Sequence, residues 1–259
     1  MAAAIFHFIL HLHRFYAIIP HGGDKMINYA HRGASEYAPE NTLSSFYLGL
    51  LQGANGIETD VQKTKDGVLV LFHDDTLDRV SNEKGRLCDY TWDELKNVKI
   101  YGSCTTGFYD RIVTLREFLE KFSAYDIQFA IELKGSDVEK ETLEAVKKFG
   151  LMNKTTFTSF HYEYIKTVKE LDPSARVGWL TSSVDDEVMK HLKEISGEEI
   201  APQAELITEE LMKKWREAGL GVRAWGVFNV ALMKKMCALG VDGMTVNFPD
   251  RLQEYLRTL

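Results

Sequence analysis

Seven side chains in this sequence have types and spacings suited to phosphoester chemistry. Glu58 and Asp60 are two residues apart. Strand side chains alternate between faces, so on one strand both carboxylates point the same way. Glu132 and Lys134 repeat that spacing in a later apolar run. Three carboxylates gathered from neighbouring strands would repel one another at neutral pH. A hard divalent cation that takes oxygen ligands, Mg²⁺ or Ca²⁺, resolves the repulsion. Arg32 and Lys134 add fixed positive charge suited to a phosphate. His31 and His73 supply two groups that titrate near neutrality. Cation, basic side chains and two imidazoles together fit phosphoester cleavage. One His takes a proton from the nucleophile, and the other gives one to the leaving oxygen.

Each residue alone has a plainer reading. A His at a strand end is commonly a hydrogen-bonded structural residue. An E-x-D pair can face solvent on an edge strand, and Gly33 and Gly67 can be simple turn residues. Placement singles the set out, because all seven fall at strand ends or at the end of a hairpin. No rival constellation is present: the chain has no G-x-x-x-x-G-K-[ST], no G-x-G-x-x-G after a strand, no G-x-S-x-G and no H-E-x-x-H.

Those side chains need elements that bring them together. Short apolar runs predict strands at 27–30, 56–62, 128–133, 155–159, 176–180, 199–202, 222–227 and 243–246. Amphipathic stretches predict helices at 42–52, 115–122, 138–149, 162–171, 185–194, 208–218 and 230–239, with Thr114 as an N-cap and Gly150, Gly219 and Gly240 as stops. Strands alternating with helical crossovers imply an α/β fold with a parallel sheet. Eight such units imply a TIM (β/α)8 barrel, although a doubly wound sheet has similar periodicity. In a parallel barrel the strand ends converge on one face, where active sites sit. Two features break the alternation. Thr64-Lys65-Asp66-Gly67 leads at once into an apolar run at 68–72, a connection too short for a parallel crossover, so it is read as a β-hairpin at the barrel mouth. Residues 74–111 then show little pattern beyond a short helix near 91–98. They read as a small insertion, too small for a core of its own and obliged to lean on the barrel mouth.

Composition sets the outer bounds. The chain has 259 residues, 45% apolar and 27% charged, with a formal net charge of −7. That excludes a disordered, collagenous or coiled-coil chain and speaks against a nucleic-acid partner. Cys88, Cys104 and Cys237 are far apart and form no CxxC, which suits reduced thiols and a cytoplasmic location. Residues 1–25 differ from the rest. Their apolar runs are interrupted by His7, His11 and Arg14, no A-x-A follows, and the stretch is too short to span a membrane. An upstream start codon, with the functional protein beginning at Met26, is preferred to a membrane-surface anchor. His7, His11 and His13 lack a companion carboxylate or Cys and are not read as a metal site. Residues 26–259 are therefore expected to form a single domain.

In order along the chain, His31-Arg32-Gly33-Ala34, Pro39-Glu40-Asn41-Thr42, Glu58-Thr59-Asp60-Val61, Asp66-Gly67, His73-Asp74 and Ile131-Glu132-Leu133-Lys134 resemble the signature of the glycerophosphodiester phosphodiesterase family. Phe157-Thr158-Ser159-Phe160 and Gly240-Val241-Asp242-Gly243 match its later strands, so the likeness runs from about Ile27 to Asp250. The resemblance implies a TIM barrel that hydrolyses glycerophosphodiesters to glycerol 3-phosphate and an alcohol. It implies a divalent metal on Glu58, Asp60 and Glu132, an acid/base pair in His31 and His73, and phosphate contacts from Arg32 and Lys134. The chain departs from the usual pattern at Trp225-Gly226-Val227-Phe228-Asn229, at Ile112-Val113-Thr114-Leu115, and at Thr245-Val246-Asn247-Phe248-Pro249-Asp250. None of these touches the proposed catalytic set.

The nucleophile is either a substrate hydroxyl, through a cyclic phosphate, or water. Which His is the acid stays open. Glu40 and Asn41 are expected behind the ligand carboxylates, with an equal case for Asn41 or Thr42 as a helix cap. Trp225 is a candidate pocket wall or barrel core. His161 and Tyr162 are read as surface residues at a helix start, and His191 as solvated. Expected partners are a small-molecule glycerophosphodiester and, at most, further copies of this chain. A lysophospholipase D-like activity on lysolipids is the nearest enzymatic alternative, with Leu87, Tyr90, Trp92, Tyr101, Phe108 and Tyr109 as its apolar lining. A non-catalytic phosphate-binding barrel is the alternative of another class, although it would not need two imidazoles.

Overall fold

Eight apolar runs form parallel strands and close on themselves in this computed structural model, which describes residues 26–102 and 108–259. Residues 1–25, where the expectations about an upstream start, a surface anchor and a histidine cluster fall, lie outside the described residues, as does Cys104. The barrel strands are β1 (Ile27–His31), β2 (Gly56–Lys63), β7 (Gln128–Leu133), β8 (Thr155–Ser159), β9 (Arg176–Thr181), β10 (Glu199–Pro202), β11 (Gly221–Ala224) and β12 (Gly243–Val246). They pair in the circular order β1-β2-β7-β8-β9-β10-β11-β12, with β12 returning to β1. This is the (β/α)8 barrel, and it sets all eight C-terminal strand ends on one face.

Helices cover the outside because each carries one apolar face. In α3 (Leu115–Phe122), Leu115, Phe118, Leu119 and Phe122 are buried at the i, i+3, i+4, i+7 spacing. Thr114 Oγ1 caps it by accepting from Glu117 N at 3.1 Å. The other crossover helices are α1 (Leu43–Leu51), α4 (Glu139–Lys148), α5 (Tyr162–Leu171), α6 (Asp186–Glu194), α7 (Glu209–Glu217) and α8 (Val230–Leu239). Gly240 ends α8 in the left-handed region at φ +71°. A further helix, α9 (Pro249–Leu256), opens on Pro249 and packs beside β1; its short amphipathic run went unread in the sequence.

Four sequence expectations are corrected. The strand expected at 222–227 ends at Ala224, because Gly226 turns left-handed at φ +72°. The 68–72 run is β3 (Leu69–Leu71), antiparallel to β2 as expected, but it also pairs with β6 (Val113–Thr114). The segment from Asp74 onward holds more order than one short helix. It has α2 (Trp92–Leu95) and a hairpin of β4 (Lys99–Tyr101) and β5 (Tyr109–Arg111). Leu77, Val80, Leu87, Leu95, Val98 and Ile100 form a buried apolar cluster there with Val70 and Phe72 of the hairpin. The segment thus builds much of its own packing, and leans on β3 and, through Leu87–Asp89, on β2 at the barrel mouth as expected. Finally, His191 is half-buried, with its ring 4.7 Å from Tyr162 and 5.7 Å from Trp179, instead of standing in solvent.

The barrel interior is polar near its middle. Arg223 is fully buried, with Nε donating to Glu199 Oε1 at 2.8 Å and Nη1 to Thr245 Oγ1 at 2.9 Å. No helix among the described residues is long and apolar enough to cross a membrane.

Candidate active site

One gap in the sheet creates the site. β1 ends at His31, level with Glu58 of β2. β2 runs on to Lys63, and only from Val61 does β3 take the edge that β1 vacates. The Arg32–Asn41 turn folds into the space between. Its backbone is unusual: Arg32 and Asn41 both sit at φ +55°. Holding a side-chain-bearing residue there costs about 1–2 kcal/mol, and this turn repays it with hydrogen bonds. Arg32 N donates to Glu58 O at 3.0 Å, and Asn41 N donates to Arg32 O at 3.0 Å. Gly33, at φ +84°, could not be replaced freely, because a Cβ there would lie 2.4 Å from the Ser45 backbone carbon.

The turn delivers two side chains to Asp60. Asn41 Nδ2 donates to Asp60 Oδ2 at 2.8 Å and takes Thr59 Oγ1–H on its own oxygen, also at 2.8 Å. Arg32 Nε lies 3.3 Å from Asp60 Oδ2, and its Nη1 donates to Glu40 Oε1 at 3.0 Å. Asn41 is therefore a partner of the carboxylate cluster. The cap of α1 is Thr42, whose Oγ1 accepts from Ser45 N.

The cluster consists of Glu58, Asp60 and Glu132. All three are buried, and one oxygen of each lies within 4.8 Å of the others. Asp60 and Glu132 are register partners on β2 and β7. Lys134, just past β7, places Nζ 3.2 Å from Glu132 Oε1 and 4.0 Å from Asp60 Oδ1. Burial, then the charges of Asp60 and Glu132, pushes Glu58 well above the usual carboxylate range. Burial and Asp60 push Glu132 up to about 7. Burial would raise Asp60 too, but Arg32, His73, Lys134 and the Asn41 hydrogen bond outweigh it and hold Asp60 low. Asp60 Oδ1 is buried without a hydrogen-bond partner. A bare buried carboxylate oxygen is costly, and three crowded carboxylates are costlier. The donor set, all oxygen, fits a hard divalent cation.

Two imidazoles flank the cluster. His31 Nδ1 pairs with Asn247 Oδ1 at 2.5 Å, leaving Nε2 on the Glu58 side, 3.9 Å from Oε2. Burial, then Arg32, lowers the His31 pKa to about 3, although the side chain keeps 26% of its surface exposed. His73 follows β3, and Phe72 N still donates to Asp60 O at 3.0 Å, so the ladder carries the ring toward the cluster. His73 Nδ1 pairs with Asp74 Oδ1 at 2.6 Å. Behind it, Gln62 Nε2 donates to the carbonyls of Phe72, His73 and Asp74 at 3.1, 3.1 and 2.7 Å.

His31, Arg32, Glu40, Asn41, Glu58, Asp60, His73, Glu132 and Lys134 are thus brought together. Trp225 is not among them. It follows β11, across the barrel from β7, where Nε1 donates to Thr181 O at 3.3 Å and the ring meets Phe160 edge-on at 5.1 Å. Phe228, 67% exposed, lies in the same loop. Asn247, Gln62 and Arg79 are missed in the sequence: Asn247 meets His31 across 216 residues and Arg79 meets Glu40 across 39, whereas Gln62 continues the alternate spacing of Glu58 and Asp60 on β2, the one signal that could have found it.

A parallel barrel with a buried acidic cluster, two oriented imidazoles and two cations at its strand ends is the architecture of a metal-capable hydrolase. The model of the Glycerophosphoryl diester phosphodiesterase family matches residues 31–251, and the chain belongs to that family of phosphodiester hydrolases. It is 34% identical over 236 residues to a glycerophosphodiester phosphodiesterase of Bacillus altitudinis, covering 86% of this chain and 95% of the relative. A glycerophosphodiester phosphodiesterase of Caldanaerobacter subterraneus is 31% identical over 241 residues, covering 90% and 98%. Among solved structures, an Oleispira antarctica phosphodiesterase in complex with the product sn-glycerol-3-phosphate superposes with a TM-score of 0.79 at 27% identity, covering 90% of this chain and 97% of its own.

Proposed function

We propose that the chain hydrolyses glycerophosphodiesters, such as glycerophosphocholine or glycerophosphoethanolamine, to glycerol 3-phosphate and an alcohol. The observation that carries this is the buried Glu58–Asp60–Glu132 cluster, flanked by two imidazoles that are each held through Nδ1. The product held by the Oleispira relative supports the choice of substrate. Glu58, Asp60 and Glu132 would hold Mg²⁺ or Ca²⁺. When bound, such an ion polarises a phosphoryl oxygen and makes a nearby hydroxyl more acidic. Arg32 and Lys134 offset the charge that grows on the phosphoryl oxygens. His31 and His73 divide the proton transfers, one accepting from the attacking hydroxyl or water and the other donating to the departing alcohol oxygen. Asn41 and Glu40 hold Asp60 and Arg32 in place, and Trp225 forms a wall across the mouth.

A second reading, lysophospholipase D-like cleavage of lysolipids, has one observation in its favour. The Phe160–Trp225 pair and the exposed Phe228 give the mouth an aromatic rim that an acyl chain could cover. On either reading we take residues 26–259 as one domain carrying 74–111 as an insertion. We place it in a reducing, cytoplasmic compartment, since Cys88 and Cys237 are free thiols.

The deciding experiment assays glycerophosphocholine, glycerophosphoethanolamine and lysophosphatidylcholine with Mg²⁺, Ca²⁺ or chelator. Release of glycerol 3-phosphate that stops in chelator is the expected result. Faster turnover of the lysolipid would favour the second reading, and hydrolysis that resists chelator would remove the metal.

A further inference from the structure

Arg79 lies outside the barrel, in the turn between β3 and α2, and takes no part in the chemistry above. Its guanidinium makes four hydrogen bonds to two carboxylates. Nε and Nη2 donate to Asp74 Oδ2 and Oδ1 at 2.6 and 3.0 Å. Nη1 and Nη2 donate to Glu40 Oε2 and Oε1 at 2.9 and 2.7 Å. The same Asp74 Oδ1 holds His73 Nδ1, and the same Glu40 Oε1 accepts from Arg32 Nη1. One fork therefore joins the loop after β1 to the loop after β3, two strands that share one edge of β2.

We propose that Arg79 is a positioning residue. Through Asp74 it fixes the tautomer and direction of the His73 ring, and through Glu40 it fixes the Arg32 guanidinium. The role rests on the proposed hydrolysis, in which those two side chains act. An ion pair at the surface is worth little as stability, and Arg79 is 49% exposed on its side chain. Its geometry does something else. Gln62 already anchors the backbone carbonyls around His73, which leaves the side-chain direction of Asp74 to be set from the other side. Planar, bidentate recognition at both ends sets it, and only a guanidinium offers that. Leu77 and Val80, buried in the apolar cluster on either side of Arg79, fix where the fork stands. The insertion's own packing thereby gains a purpose: it carries one side chain to the rim of the barrel.

The test compares the parent protein with R79A and R79K, the latter keeping the charge and losing the fork. Orienting partners of this kind typically contribute about 10–100-fold, so kcat on glycerophosphodiesters should fall by that factor in both variants, with thermal midpoints close to the parent's. Guanidinium ion added to R79A should restore part of the loss, since the vacated site opens to solvent, whereas methylammonium should not. Independently of turnover, ¹⁵N-histidine spectra, with H73N identifying the signal, should show His73 protonated at Nδ1 in the parent and as mixed tautomers in both variants. Parent-like kcat in R79K, or an unchanged His73 signal in the variants, overturns the proposal. Should R79A fail to fold, R79K and its spectrum decide alone. A parent protein inactive on every diester would fail the proposed function instead, and the tautomer comparison would still judge Arg79.

Discussion

An imidazole serves proton transfer best when one nitrogen is held and the other faces the reacting atoms. His31 and His73 are both held through Nδ1, by different means, and on the proposed reading Nε2 of each is left for the substrate. A neutral amide holds His31 through Asn247, and a carboxylate holds His73 through Asp74. Replacing either His by Ala should lower kcat by about 10²–10⁴, the usual worth of a positioned acid or base, while leaving the unfolding midpoint near the parent's. Steady-state assays beside thermal melts check this, and near-normal turnover in both variants would remove the imidazoles from the chemistry. The residue types of the site were legible in the sequence because acids, bases and cations sat at strand ends with i, i+2 spacing. Their partners were not. Asn247 is 216 residues from His31, and Arg79 is 39 from Glu40. Contacts across such separations leave no periodicity to read.

At the scale of elements, the site depends on a turn that the barrel alone would not favour. Two side-chain-bearing residues at φ +55° and a glycine pressed on Ser45 send the chain back over Asp60. Gly33→Ala should therefore lower both stability and turnover, since a Cβ meets the Ser45 backbone carbon as well as its side chain. The expected loss is about 1–3 kcal/mol, read from denaturant unfolding. A fully stable and active variant would show that the turn tolerates another path. The eight barrel strands were legible because they are short apolar runs buried from both sides. The insertion was not. In β4, Lys99 and Tyr101 are exposed around the buried Ile100, so that strand depends on its pairing with β5 and its bridge to Ser81 rather than on an apolar run. β11 was overread because Trp225 and Val227 look strand-like, while Gly226 between them takes a conformation that sequence does not announce.

For the molecule as a whole, the acidic cluster couples metal, pH and folding. Without a cation, Glu132 keeps its proton up to about 7 in the fold, against 4.5 for the free side chain. Between those values the folded protein holds a proton that the unfolded chain has released. Glu132 and, in the same sense, Glu58 therefore lower the stability as pH rises through the window, and His31, which the fold keeps neutral down to about 3, offsets part of that fall below its free value of 6.5. Melting curves in chelator at the two ends of that window should show the lower midpoint at the higher pH. Added Mg²⁺ should raise that midpoint more than the acidic one, because it binds only the folded, ionised cluster. A midpoint indifferent to pH and Mg²⁺ would separate the cluster from both. Charge then imposes an order of arrival. Around the site, Glu40, Glu58, Asp60, Asp74 and Glu132 face Arg32, Arg79 and Lys134. Fully ionised, this neighbourhood carries two surplus negative charges and repels an anionic diester. On the proposed reading a divalent ion held by Glu58, Asp60 and Glu132 would cancel that surplus, and it would have to enter before the substrate. The diester would then meet a doorway whose own charges balance, so that the net charge left at the site would be its own.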